Sequence, residues 1–159
     1  MIRAEGAEQY AIRCINPRRH RYTVAWDFQP KEEAGFTYME EEFDHLPTIE
    51  EIREVIYAYY NGLTDEAIRS GFVYEGSSVY LSMENQFNYK AAYDLAVQTQ
   101  GASLPVRFKF GPDSEPDYHD FTTVEELTAF YTAAIAFIQQ KLAEGWQVKD
   151  SIDFNLYRL

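Results

Sequence analysis

The run Leu104-Pro105-Val106-Arg107-Phe108-Lys109-Phe110, followed by a turn from Gly111 to Asp117, by Tyr118-His119-Asp120-Phe121 and by Thr123-Val124-Glu125-Glu126, decides the fold. Alternation puts Val106, Phe108 and Phe110 on one face and Arg107 and Lys109 on the other, the period of a half-buried strand. The turn is made of glycine, two prolines and acids, so Tyr118 to Phe121 is expected to return as the antiparallel partner. Thr123 and Glu126 have capping-box spacing, in which hydroxyl and carboxylate each satisfy an orphaned backbone N–H at a helix start. The helix behind them is predicted to turn Val124, Leu127, Tyr131, Ala134, Ile135, Ile138 and Leu142 to the core, with Phe130 and Phe137 widening the stripe. Gly145 is its expected stop, and Trp146 is either a cap folded over the helix end or a ligand platform.

Outward from this unit the same order recurs. Phe72 to Glu75 and Val79 to Ser82 flank Gly76-Ser77-Ser78, the composition of a hairpin turn. Ser82 then caps a helix reaching Gln100, with Phe87, Ala91 and Leu95 as its apolar row and Gly101 beyond it. Nearer the N-terminus, Tyr10 to Asn16 reads as a short strand. Tyr22 to Phe28 is a stronger one, with Tyr22, Val24, Trp26 and Phe28 on one face; Phe36 to Phe43 pairs with it across the polar break Pro30 to Gly35. A capping box at Thr48 and Glu51 opens a helix striped by Ile49, Ile52, Val55, Ile56 and Tyr59. Asn61-Gly62 is its expected end, and a separate helical turn follows over Thr64 to Arg69. The expectation is an α+β fold: an antiparallel sheet with helices on one face, built from successive hairpin-plus-helix units. Residues 1–159 form a single domain, with an acidic sub-unit 1–62 and a second sub-unit 63–159.

Charge narrows the partners. Fourteen basic against 26 acidic side chains give a net charge of -12, which repels phosphate backbones and disfavours nucleic acid. The acidity is concentrated from Lys31 to Glu66, eleven acids against two bases, whereas Arg3 to Arg21 is net positive. Cys14 is the only cysteine, which excludes an internal disulfide and suits a reducing compartment, and a buried structural thiol is its expected role. No apolar run is long enough to span a membrane.

No catalytic motif is present. Asp44-His45 and His119-Asp120 place acids beside imidazoles, but neighbours on a strand point to opposite faces, so neither pair is expected to form an oriented dyad. Asp113-Ser114-Glu115-Pro116-Asp117 has alternating acids without the glycine and closing glutamate of a calcium loop, and reads as a turn. Phosphate loops and nucleophile elbows are missing. No catalytic residue, metal ligand or cofactor is therefore assigned.

Phe72-Val73-Tyr74-Glu75-Gly76, Val79 through Ala92, the strand Leu104 to Lys109, the helix start Phe121 to Leu127, and Gly145-Trp146 with Lys149-Asp150-Ser151-Ile152-Asp153 resemble a domain of unknown function found in bacteriophage and prophage reading frames. The resemblance covers about 63–157. It implies a structural or interaction module of tail-fibre or tail-assembly type, with a phage structural protein as partner, residing in the cytoplasm of a bacterial host or in a virion. It supplies no functional residues. From the residues themselves, the amides Asn85, Gln86 and Asn88, with Tyr89, crowd the first turns of one helix and form the candidate binding set, with helix capping as their alternative role. Two other functions stay open: a small hydrolase using His45, His119 and nearby carboxylates, and an acidic inhibitor or nucleic-acid mimic.

Overall fold

A computed structural model describes residues 1–32 and 34–158, so Glu33, within the expected Pro30 to Gly35 break, lies outside the described residues. The described residues form eight strands and three α-helices: β1 (Ile2–Gly6), β2 (Ile12–Asn16), β3 (Arg21–Pro30), β4 (Phe36–Phe43), α1 (Ile49–Gly71), β5 (Phe72–Tyr74), β6 (Ser77–Val79), α2 (Met83–Gln98), β7 (Val106–Phe110), β8 (Asp117–Phe121) and α3 (Val124–Asp150). This is α+β, and each of β3–β4, β5–β6 and β7–β8 is an antiparallel pair followed by a helix. The chain divides into two compact units. Residues 1–60 and those from Val148 onward form the first, and Asn61–Gln147 the second.

In the first unit, β1 to β4 make one antiparallel sheet in the order β1-β4-β3-β2. Val24 and Trp26 of β3 pack with Ile52 and Ile56 of α1 and with Tyr157, so the predicted stripe of this helix does face a core. Tyr157 donates to the Ala25 carbonyl at 3.1 Å. That bond and the packing explain why the C-terminal segment joins the N-terminal unit instead of the sub-unit 63–159 expected from the sequence. The capping box forms as predicted: Thr48 N–H reaches Glu51 at 2.8 Å, and Glu51 N–H reaches the Thr48 hydroxyl at 3.2 Å.

β3 departs from its simple alternation. Trp26 pairs with Met39 and Gln29 with Thr37, so Asp27 and Phe28 together oppose the single Tyr38, a β-bulge. The extra residue turns Phe28 away from the face of Trp26. Its ring lies 4.9 Å from Tyr38 and 6.4 Å from Tyr10. Tyr22, Val24, Trp26 and Phe28 therefore do not share one face. Cys14 is exposed, not buried, because β2 is an edge strand of the sheet.

In the second unit the two hairpins and three helical segments enclose a separate aromatic core. Phe130 is its centre, with ring centroids 5.0–5.8 Å from Tyr74, Tyr89, Phe121, Phe110 and Phe108. Phe130, one of the two residues expected to widen the α3 stripe, is fully enclosed in that core. Strand β7 behaves as read, with Phe110 buried and Arg107 and Lys109 outward. The β5–β6 turn is Glu75-Gly76, both at positive φ, as a two-residue hairpin requires; it lies one position earlier than expected.

Two of the expected glycine stops, Gly62 and Gly145, do not end a helix, whereas α1 does end at Gly71 and Gly101 follows α2 at positive φ. α1 continues through Gly62 to Gly71, merging the two predicted helices, since an interior glycine costs only about 1 kcal/mol and packing outweighs it. α3 continues through Gly145 to Asp150. A Cβ at Gly145 would stand 2.3 Å from the Thr64 hydroxyl, so this glycine permits a close helix crossing. Trp146 is consequently a helical residue with an exposed ring, not a folded-back cap.

Candidate functional site

α2 is where sequence and structure differ most. Its predicted inward row faces solvent: Phe87 is 71% exposed and Leu95 51%, with Ala91 exposed between them, and Met83, one step ahead of that row, is 82% exposed. Tyr89 and Ala96 are buried instead, and Tyr93 packs beside them. The helix carries two apolar rows, and one sequence period cannot say which meets the core. The β7 aromatics decide it, because Tyr89 lies 4.6 Å from Phe108 and 5.1 Å from Phe130 by ring centroid.

The four candidate binding residues are therefore not one surface. Tyr89 is 5% exposed, its ring is committed to the core, and burial raises its phenol pKa. The Asn85 amide donates to the Tyr80 carbonyl at 2.7 Å, and the Gln86 amide to the Leu81 carbonyl at 2.8 Å. These side chains fasten the chain entering α2, while Ser82 accepts from Asn85 N–H at 3.2 Å as its cap. Of the four, Asn88 is the exposed one. It lies next to Phe87 in the chain. Tyr80 is also exposed, and a cavity of about 550 Å³ lined by Asp65, Ile68, Arg69, Leu81, Met83 and Gln86 begins at the same helix end. Coverage of such solvent-facing apolar groups would release the water around them.

The histidines have local partners. β4 ends at Phe43, so Asp44 and His45 escape strand alternation and do form a pair, contrary to expectation. His45 Nδ1 lies 2.9 Å from Asp44, and Nε2 lies 3.1 Å from Glu51. The hydrogen bonds to Asp44 and then Glu51 raise its pKa. With both ring nitrogens engaged, the imidazole braces the start of α1. His119 does alternate as expected. Its ring packs at a tilt against Phe121, centroids 4.4 Å apart, while Asp120 points to the opposite face and holds Arg107 at 2.6 and 2.7 Å. Among the described residues no three histidine, cysteine, aspartate or glutamate side chains gather as a metal would need. No described helix is long and apolar enough to cross a membrane.

Some acids of the run have partners in the first unit. Glu40 accepts from Tyr10 at 3.0 Å, Glu42 pairs with Arg21, and Lys31 reaches back to Glu5 at 2.5 Å. At the bulge, Asp27 adopts φ +53°, a conformation aspartate tolerates better than most residues. Its Oδ2 accepts from Arg3 at 2.7 Å and from Tyr59 at 2.8 Å, and Arg3 also donates to its carbonyl at 3.1 Å. Burial and the bond to Asp27 push the Tyr59 phenol up to about 12. Beside this cluster is a cavity of about 460 Å³. Nothing in the sequence marked it, because its wall joins residues separated by more than a hundred positions.

No curated protein and no solved structure matches the chain. A family described as Domain of unknown function (DUF4376) matches residues 51–157, which takes in α2 and its exposed row. On that match, which covers most of its length, the chain belongs to the DUF4376 family.

Proposed function

We propose that the chain is a structural or interaction module, encoded by a phage or prophage and associated with a tail-type assembly, that docks a protein partner on the outer row of α2. The observation that carries this reading is the solvent-facing row Met83, Phe87, Ala91 and Leu95. Large apolar anchors spaced four residues apart on a rigid helix suit insertion into a partner's groove, and the adjacent Asn88 would supply a polar contact at the edge. The tail association rests on the sequence resemblance at 63–157, and the family match overlaps that region.

The test places a photo-crosslinking amino acid at Asn88 in a host that produces the particles. Mass spectrometry should identify one tail protein as the main adduct, and Met83→Ala with Phe87→Ala should abolish it while the fold persists. Particles that lack the chain and yield no adduct would refute the reading. So would an adduct indifferent to the double substitution.

A further inference from the structure

The cavity of the first unit lies apart from the α2 surface in sequence and in function. Trp26, Tyr60 and Tyr157 give it aromatic walls, Tyr10 and Phe28 border it, and Ile56, Ile152 and Leu156 add aliphatic surface. Among the described residues of that lining Asp27 carries the only charged side chain. Its volume of about 460 Å³ falls within the range of sites for small organic molecules.

We propose that this cavity binds a small organic cation with an apolar body, of the alkylammonium or quaternary ammonium class. Ring faces carry negative potential and attract a desolvated cation, and a quaternary ammonium needs no hydrogen-bond acceptor to satisfy it. Asp27 adds a formal negative charge whose direction is fixed by the bulge and by its bonds to Arg3 and Tyr59. Arg3 offsets part of that charge, so the rings supply most of the attraction and Asp27 the remainder. The Asp27 charge opposes anions there, whereas burial opposes charge of either sign. Burial and then the Asp27 charge raise the Tyr60 phenol, and burial raises that of Tyr157. The Tyr10 ring already carries the Arg13 guanidinium 4.1 Å from its centroid, so the other rings are the ones left to a ligand cation. A net charge of -12 also concentrates cations around the molecule.

The wall holds one further unsatisfied group. The buried indole N–H of Trp26 has no hydrogen-bond partner among the described residues. A hydroxyl on the ligand would give it an acceptor after a small shift of the ring.

The experiment titrates the isotopically labelled full chain with choline, with its uncharged isostere 3,3-dimethylbutan-1-ol, and with the anion 3,3-dimethylbutanoate, at fixed ionic strength. Amide and indole shifts are followed by NMR, and Trp146→Phe assigns the Trp26 indole signal. Choline should produce saturable shifts at Trp26 and Asp27, with a dissociation constant at least about tenfold below that of the alcohol, and the anion should produce none. Leu156→Trp, placed at a position 66% exposed and so compatible with folding, should fill the mouth and abolish the shifts. Asp27→Asn keeps a residue tolerant of positive φ and should weaken choline severalfold, leaving the alcohol unchanged. The proposal is overturned if the alcohol binds as tightly as choline, or if the shifts spread over the acidic surface and spare Trp26. It also fails if a folded Leu156→Trp protein binds choline undiminished.

Discussion

The missing side chain of Gly145 is filled by Thr64, whose hydroxyl oxygen lies 2.3 Å from where a Cβ would stand. Gly145→Ala should therefore destabilise the second unit. Overlap with a packed side chain typically costs about 1–3 kcal/mol, and the gain in helix propensity returns about 1. Thr64→Ala removes the hydroxyl and the methyl group, so the double variant should recover much of the loss. Urea unfolding of the four proteins in this cycle measures the coupling. A Gly145→Ala protein as stable as the parent would show that the crossing has room.

His45 bridges Asp44 and Glu51, and its raised pKa sets a direction for pH dependence. A group whose pKa is higher folded than unfolded gives its full stabilisation below the unfolded value, near 6.5, and loses it as pH rises through the folded value. NMR titration should find His45 above that ordinary value, and Asp44→Asn should bring it back down. The variant should also show a shallower fall in stability on the alkaline side of neutrality. A His45 titrating at or below the ordinary value would disprove the brace.

Two neighbouring aromatics on α2 should respond oppositely to truncation. Tyr89→Ala empties a place against Phe108 and Phe130 and should cost about 3–5 kcal/mol. Phe87→Ala, at an exposed position, should stay within about 0.5 kcal/mol of the parent. Thermal and urea unfolding read both, and equal losses would mean that the helix faces have been assigned wrongly.

The contrast between these two residues shows how far the sequence carries. Strand β7, the capping boxes at Thr48 and Thr123 and the order of hairpins and helices were legible because each depends on neighbours within a few positions. The burial of Tyr89 was not, since it is set by Phe108 and Phe130, and α2 offers two competing apolar rows. The bulge at Asp27 was hidden for a related reason: alternation predicts a face only while the count of residues on paired strands stays equal. Gly62 and Gly145 misled because glycine serves both helix ends and close crossings, and a sequence period does not distinguish them. The cavity needed the return of Tyr157 to Ala25, a relation that no local pattern encodes.

High pH should weaken the first unit. Burial lifts the phenols of Tyr59 and Tyr157 to about 12, above the value of about 10 in an unfolded chain. The folded state therefore holds more protons between these values, and stability should fall as pH rises from 10 to 12. Tyr157→Phe should cost about 1 kcal/mol near pH 8 through the unpartnered Ala25 carbonyl, yet lose less than the parent on moving to pH 11. A parent protein equally stable at pH 8 and pH 11 would contradict this assignment.

Because the first unit takes its residues from both sides of the second, it cannot be completed while the ribosome is still making the middle of the chain. At typical elongation speeds Tyr157 emerges roughly 5–20 s after Tyr60. Throughout that interval the indole of Trp26 lacks one of its covers, and the second unit, contiguous in sequence, is free to fold first. The nascent chain thus has a built-in order of completion, with its open sheet as the portion most in need of protection from aggregation.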